Sequence, residues 1–525
     1  MSGVTIGYML FREWRSARLS WVDAGNYFQS IPGQPTDWWS FAVFSEDRGR
    51  TPDRESVLSF FASRMHLVGA LARRIADAPG SLDYPYWVKA ELAVDDVVTV
   101  HDARSSTFED WLGSVAKLSA DCIDAARCPW QVHVFPGVPD PDEPGATVTV
   151  AAIQASHAML VGSSARGLLE ALFGEEGRPL EVDGLAPPAE TTHPVAATTH
   201  GIARLAIWPM VALGGLVRAN LEARRRARDP LPGTVAADTA PDDSPARPTS
   251  RRVIRILRPD LSALAGRSWT VTALGLTAVS LAMERYYRER GEDLPSEYAA
   301  VPVALGESAA GLGVNRVAGG LVPLHVEIPE PAQRAATIAD SLARERARVD
   351  SSESIDAMHR TGAAPYPVFR RVSRALAHAL ASGAVPGVAT ALSSVNCGAD
   401  VRWSVPWGHL KFVAGVQALV PRVDFMHTFA RAGDAFAVTV LAPASDDSRP
   451  DHDIDRYVEL LDQGFAEVSA AVGRVGAGRA LNPIVVRRWK LSLIGWTVGA
   501  CCGSRWPYRA DSRPSTVTRT SVVQE

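Results

Sequence analysis

"TVTVAAIQASHAMLVGSSARGLLEALFG" occupies Thr147–Gly174. Its first ten residues alternate and carry β-branched side chains, the pattern of a half- or fully buried strand. "HAMLVG" then turns the chain. Leu168, Leu169, Leu172 and Phe173 follow at helical spacing, with Ser163 placed to cap that helix. His157 therefore stands at the carboxyl end of a strand, where mixed α/β proteins open crevices. A neutral imidazole there can accept a proton near pH 7. Taken alone, such a histidine reads more commonly as a core or loop residue with one backbone hydrogen bond.

The rest of the chain sets bounds on that reading. Its 525 residues exceed one core and divide into domains. With 46% hydrophobic and 21% charged residues, the composition is that of a soluble globular protein. The formal charge of −4 offers no attraction for nucleic acid, and no nucleic-acid-binding motif appears. Five cysteines without metal spacing fit reduced thiols in a cytoplasm. "VTIGYMLF" before Arg12 and Glu13 is short for a signal peptide. The longest apolar run, residues 202–217, contains Arg204 and Pro209 and falls short of the roughly 20 apolar residues of a spanning helix.

One stretch divides the chain. "DPLPGTVAADTAPDDSPARPTS" (229–250) is rich in proline and small polar residues and cannot supply core, so it reads as a disordered linker. It separates a lobe of residues 1–228 from one of 251–480, and a basic, tryptophan-containing tail fills 481–525. In the first lobe, 51–77 reads as a helix with Thr51 as N-cap, and "WQVHVF" (130–135) as a strand. In the second, 271–291 and 453–475 read as helices, while "VPVAL", "LVPLHVEI" and "AFAVTVLA" read as strands.

"SHAMLVG" (156–162) resembles the HHxxxDG motif of coenzyme A-dependent acyltransferases, most closely that of the bacterial wax ester synthase/diacylglycerol acyltransferase family. Further matches keep the family's order. "RLSWVDAGNYF" (18–28) is similar to LSxxDAxF, and "CIDAARCPWQVHVF" (122–135) to PLDxxxPLWE. "VNRVAGGLVPLHVEIPEPAQR" (314–334) is similar to GNxxxxxxxxLPxxxxDPxxR. The resemblance spans roughly residues 18–475; the seventeen residues before it lie outside, and Met9 offers another start.

It implies an α/β fold of mixed sheets, two coenzyme A-dependent-acyltransferase-like lobes with the active site between them. It makes His157 the general base that deprotonates an alcohol attacking an acyl-CoA thioester. Acyl-CoA is then a co-substrate, with no bound cofactor and no metal. The acceptor is diacylglycerol or a long-chain alcohol, and the product triacylglycerol or wax ester. The chemistry requires an unprotonated ring in a water-poor cleft, reached by a channel.

This chain departs from the motif. Ser156 replaces the first histidine, and Val161 replaces the aspartate that holds the loop by an ion pair in the superfamily; Gly162 is kept. These three residues shape the active-site loop. The family's Asn-Asp pair falls on Thr272 and Ala273, and its SNVPGP turn on "SSVNCG" (393–398). Two further readings follow from these departures. One is a catalytically impaired member acting as a lipid-binding or regulatory protein. The other is a condensation-type acyltransferase with a different hydroxyl or amine acceptor.

Other candidates read as structural. In "DHDID" (451–455), Asp451 or Asp453 suits a helix cap better than a metal site. "GESAAG" (306–311) misses the nucleophile-elbow spacing. Cys397 reads as a plain thiol in a polar turn, and His101–Asp102 as a solvated pair. Two basic segments invite a peripheral membrane or lipid-droplet role on the cytoplasmic side. One is 202–217 followed by "RANLEARRRAR" (218–228). The other is 485–509, where Trp489, Trp496 and Trp506 alternate with basic residues. For 202–217 the competing reading is a buried helix.

Overall fold

Side-chain alternation along two central strands builds the molecule. In β1 (Trp38–Ser45), Trp38, Ala42 and Phe44 face one apolar core, while Trp39, Phe41 and Val43 face another. The opening stretch behaves alike: in β6 (Thr147–Ala155), Ala151, Ile153 and Ala155 point one way and Val148, Val150 and Ala152 the other. Strands covered on both faces must be apolar throughout, which is why this segment reads as an almost unbroken hydrophobic run.

The computed structural model describes residues 12–478, except 32–33, 48–49, 103–106, 161, 176, 229–251, 261–268, 382–387, 421–422 and 445–452. The expected linker 229–250, the tail 481–525, Val161 and Asp451 lie outside the described residues. Around β1 and β6 run β2 (Arg73–Ala76), β3 (Tyr86–Lys89), β4 (Val98–Val100) and β5 (Trp130–Pro139). The second half supplies β7 (Arg252–Leu257), β8 (Tyr298–Ala304), β9 (Val317–Pro323), β10 (Thr390–Asn396), β11 (Ser404–Val405), β12 (Gly408–Val416), β13 (Phe425–Ala432) and β14 (Ala435–Pro443).

Two six-stranded mixed sheets result, ordered β11-β12-β1-β6-β5-β4 and β7-β14-β13-β10-β8-β9, beside the β2–β3 pair. In the first sheet, β12 comes from the far half of the sequence and pairs antiparallel with β1, Ala42 opposite Val413. Residues 404–416, placed in the second lobe by sequence position, thus complete the sheet of the first. Gly408 permits it: a Cβ there would lie 1.7 Å from the Ser45 carbonyl oxygen. One core packs the first sheet against the helices Arg54–Arg64 and Gly162–Phe173. A second packs the other sheet against Val271–Arg290 and Ile454–Gly478. A third joins Phe41 and Phe412 of the first sheet to Trp111 and to Met426 and Leu441 of the second.

Several expectations need correction. The helix expected over 51–77 stops at Arg64, passes into a 3₁₀ segment and becomes β2, because β3 offers a partner and "RRIA" fits either period. Its N-cap is Asp53, which accepts from the Ser56 amide at 2.8 Å; the Thr51 hydroxyl instead donates to the buried Glu46. Ser163 lies inside its helix, not ahead of it. The strand "LVPLHVEI" ends at Pro323. His101 is half-buried, 3.0 Å from the His133 ring and stacked on Phe135, not solvated. Asp453 does cap the last described helix, through the Arg456 amide.

Gly408→Ala should lower stability by about 1–3 kcal/mol, read as a shifted midpoint in urea unfolding. An unchanged midpoint would mean that β12 does not rely on this close approach to β1.

Candidate active site

Beyond Ala155 the chain leaves β6 in a tight turn. Ser156 organises it: its amide donates to the Pro129 carbonyl at 2.8 Å, its hydroxyl accepts from the Ala158 amide, and its carbonyl accepts from Met159. Gly162 opens the next helix. Ser156, His157, Ala158, Met159 and Leu160 are all buried. Thus Ser156, His157 and Gly162 share one turn, as expected from sequence.

The His157 ring is only 4% exposed, and its Nδ1 has no hydrogen-bond partner. Burial pushes its pKa down to about 4, opposed by a contact with the Leu160 backbone. The imidazole is therefore neutral at pH 7. The expected dry setting is present. His157 does not line the cavities of about 530 and 210 Å³.

What fixes the turn is a network whose donors come from both halves of the chain. Asp23, in the first turn of the helix Trp21–Gln29, is 3% exposed. Its carboxylate accepts from the Ser20 hydroxyl at 2.8 Å, from the Val314 and Asn315 amides at 3.1 Å each, and from Asn315 Nδ2 at 2.8 Å. The same Asn315 Nδ2 donates to the His157 carbonyl. Burial raises the Asp23 pKa to about 6, while these donors pull it back. Gly313, at φ +90°, makes the approach possible, since a Cβ there would meet Asp23 Oδ2 at 1.9 Å.

Sequence reasoning placed Asp23 and Asn315 inside family-like segments without seeing that they meet. The available signal was a carboxylate within an apolar helical pattern, with an asparagine beside closely spaced glycines. Thr272 and Ala273 sit in the first turn of the helix Val271–Arg290, capped by Thr270, and Ala273 is buried. Cys397 is fully buried and its thiol pKa rises to about 12, which makes it inert rather than a turn nucleophile. Glu307–Ala309 form a 3₁₀ turn with no strand-to-helix elbow. Among the described residues, no group of three or more His, Cys, Asp or Glu side chains could hold a metal ion.

Two mixed sheets of this order, joined by a strand crossing from the second half into the first, define a two-lobed α/β fold. A solved wax ester synthase/diacylglycerol acyltransferase from Marinobacter aquaeolei VT8 has the same fold: TM-score 0.56 at 16% identity, over 87% of this chain and 100% of that one. The first condensation domain of the CDA synthetase aligns with TM-score 0.48 at 11% identity, over 87% and 95% of the two chains. The trichothecene 15-O-acetyltransferase of Fusarium sporotrichioides aligns with 0.47 at 10%, over 87% and 95%. No curated protein matches the sequence. Residues 19–259 match the wax ester synthase/diacylglycerol acyltransferase catalytic domain. Acyl-CoA-dependent O-acyl transfer is the activity that the match supports.

Asn315→Ala removes one donor from the Asp23 carboxylate and the sole side-chain donor recorded on the His157 carbonyl. It should destabilise the protein by about 1–3 kcal/mol, read by urea unfolding. A neutral result would show that the network is not needed to seat the turn.

Proposed function

We propose that this protein moves a fatty acyl group from acyl-CoA to the hydroxyl of a lipid alcohol, diacylglycerol or a long-chain alcohol, with His157 as general base. The imidazole takes the hydroxyl proton as the alcohol oxygen attacks the thioester carbonyl. The C–S bond then breaks, the thiolate takes the proton back from the imidazolium, and ester and free coenzyme A leave. Ser156 and Gly162 shape the turn that presents the ring, and Val161 is assigned to the same active-site loop by its place in the sequence. One observation carries the reading: within the segment that matches the catalytic domain, a desolvated neutral histidine ends the central strand. A buried base with a pKa near 4 is weak, and the ring is almost fully enclosed, so substrates enter when the lobes or the loop part. Hydration on opening lifts the ring toward its ordinary value.

His157→Ala should slow thiol release from acyl-CoA, with a panel of alcohols, by about 10²–10⁴-fold. Equal, slow release from both proteins would end the enzyme reading and leave a lipid-binding or regulatory relative. The pH dependence carries a sign. A base with a lowered pKa stays unprotonated further into acid, so kcat/KM should hold below pH 6.5 and fall only toward pH 4. An acid limb centred at 6.5 would mean that the resting ring is hydrated.

We also propose peripheral attachment to an anionic lipid surface. The helix Pro194–Arg228 was open to a buried reading, yet Ile202, Ile207, Met210, Val211 and Leu213 are exposed, Met210 by 79%. Arg204 ties its root to the carbonyls of Gly362, Ala363 and Ala364. The sequence then adds five arginines against one glutamate over 218–228. Exposed apolar residues ahead of basic ones suit a headgroup region, and the substrates reside in lipid. No helix among the described residues is long and apolar enough to cross a membrane. The full chain should co-sediment with anionic vesicles at low salt, and Met210→Ser with Leu213→Ser should weaken this at least about threefold. A protein that stays in the supernatant would remove the attachment.

A further inference from the structure

At the seam between the lobes lies a cavity of about 210 Å³, lined by Arg18, Ser20 and Tyr84 from the first half and by Gly311, His359 and Gly362 from the second. Its volume is below the roughly 300–1,000 Å³ that encloses a drug-sized molecule. It suits one group of a larger ligand.

The walls are built for negative charge. Arg18 is largely withdrawn from water, and its buried Nη1 makes no hydrogen bond. Its nearest carboxylate, Asp83, is 3.7 Å away. That carboxylate is already engaged by His200 Nδ1 at 2.5 Å and by the Tyr84 amide at 2.8 Å. A buried guanidinium with an unused donor is costly, and an entering oxyanion would satisfy it with charge-assisted bonds.

The backbone adds to this. Ser20 and Trp21 bring the amino end of the nine-residue helix Trp21–Gln29 to the cavity; the Asp23 carboxylate in its first turn already takes the Ser20 hydroxyl, so the helix dipole assists Arg18 only in part. The opposing helix Ser352–Thr361 arrives by its carboxyl end, which would repel an anion. Arg204 already covers the carbonyls just beyond it, at 2.8–3.1 Å. His359 is exposed at the rim. Gly311, at φ +90°, leaves open space where a Cβ would sit. The larger cavity, of about 530 Å³, is a poorer candidate. It mixes Arg74, Lys89 and Arg127 with Glu91 and Asp96, and Lys89 and Arg127 are paired with carboxylates.

We propose that the seam cavity binds a phosphate-type anion, with Arg18 as its principal ligand and the amino end of the helix Trp21–Gln29 as its second. Because both lobes line it, the bound anion holds them together. The site also connects to the turn that bears the histidine. Ser20 bonds Asp23, Asn315 bonds Asp23, and Asn315 bonds the His157 carbonyl. In the proposed reaction the anion is the diphosphate of the acyl donor. That attribution rests on the acyltransferase reading, whereas the site does not.

Titration calorimetry on the full chain with inorganic pyrophosphate, coenzyme A and pantetheine tests it. Pyrophosphate and coenzyme A should bind. Arg18→Gln should weaken both about tenfold or more, Arg18→Lys less, and Arg74→Gln in the larger cavity not at all. Pantetheine, which lacks phosphate, should not respond to Arg18. His359→Glu changes an exposed residue and places a carboxylate at the rim; it should weaken both anions even if Arg18→Gln impairs folding. Equal pyrophosphate affinity in wild type, Arg18→Gln and His359→Glu overturns the site, as does a loss caused by Arg74→Gln instead. Binding of pyrophosphate through Arg18 but not of coenzyme A keeps the site for free phosphate anions and removes the donor attribution. Arg18-dependent binding without any thiol release keeps the site while the acyltransferase reading falls. Turnover with Arg18-independent binding does the reverse.

Discussion

A single buried carboxylate holds the arrangement together. Asp23 is out of water, and an isolated charge there would be untenable. Four donors make it tolerable, and they arrive from Ser20 and from residues 314–315, nearly three hundred positions apart in sequence. The three from Val314 and Asn315 reach Asp23 only when the two halves are seated against each other. A network of this kind adds little net stability compared with apolar packing, yet it admits one geometry and penalises near misses. The position of the His157 carbonyl is set by the same asparagine, so the placement of the imidazole depends on closure of the lobes.

The sheets share that dependence. β12 leaves the second half to pair with β1, and Trp39, Phe41 and Val43 then pack in the core that joins the two sheets. Each half thus lacks a part that the other supplies. Gly313 and Gly408 mark two close approaches between the halves, and at both a side chain would strike a polar atom of the opposite half. These contacts and the shared apolar core together resist separation of the lobes.

Much of this was legible in the sequence where one period dominated. The strand Thr147–Ala155 and the helix after it follow from alternation giving way to leucines at helical spacing, and that places His157 correctly. The helix Val271–Arg290 with its left-handed Gly291 cap was equally readable. Legibility failed where long-range pairing decides. "RRIA" became a strand only because Tyr86–Lys89 lies beside it, and the crossing of residues 404–416 has no local signal at all. Apolar spacing also misleads at 202–213, where a pattern suited to burial is turned outward. At the site, the motif residues Ser156, His157 and Gly162 were visible, but Asp23 and Asn315 were not. A network assembled from distant segments leaves only isolated polar residues in apolar surroundings.

The described part of the histidine turn is held without a charged side chain of its own. In the superfamily the motif aspartate holds the histidine loop by an ion pair. In this chain, backbone and neutral groups hold the described part of the loop: Ser156 closes the turn, and Asn315 grips the His157 carbonyl. A carbonyl held by an amide leaves the imidazole without a nearby counter-charge, and burial then drives its pKa far below the usual value. The closed geometry thus keeps the ring neutral and dry, which makes it a weak base at rest. A proton acceptor so placed gains strength only with water or a hydroxyl beside it, so what the closed turn supplies is position rather than basicity.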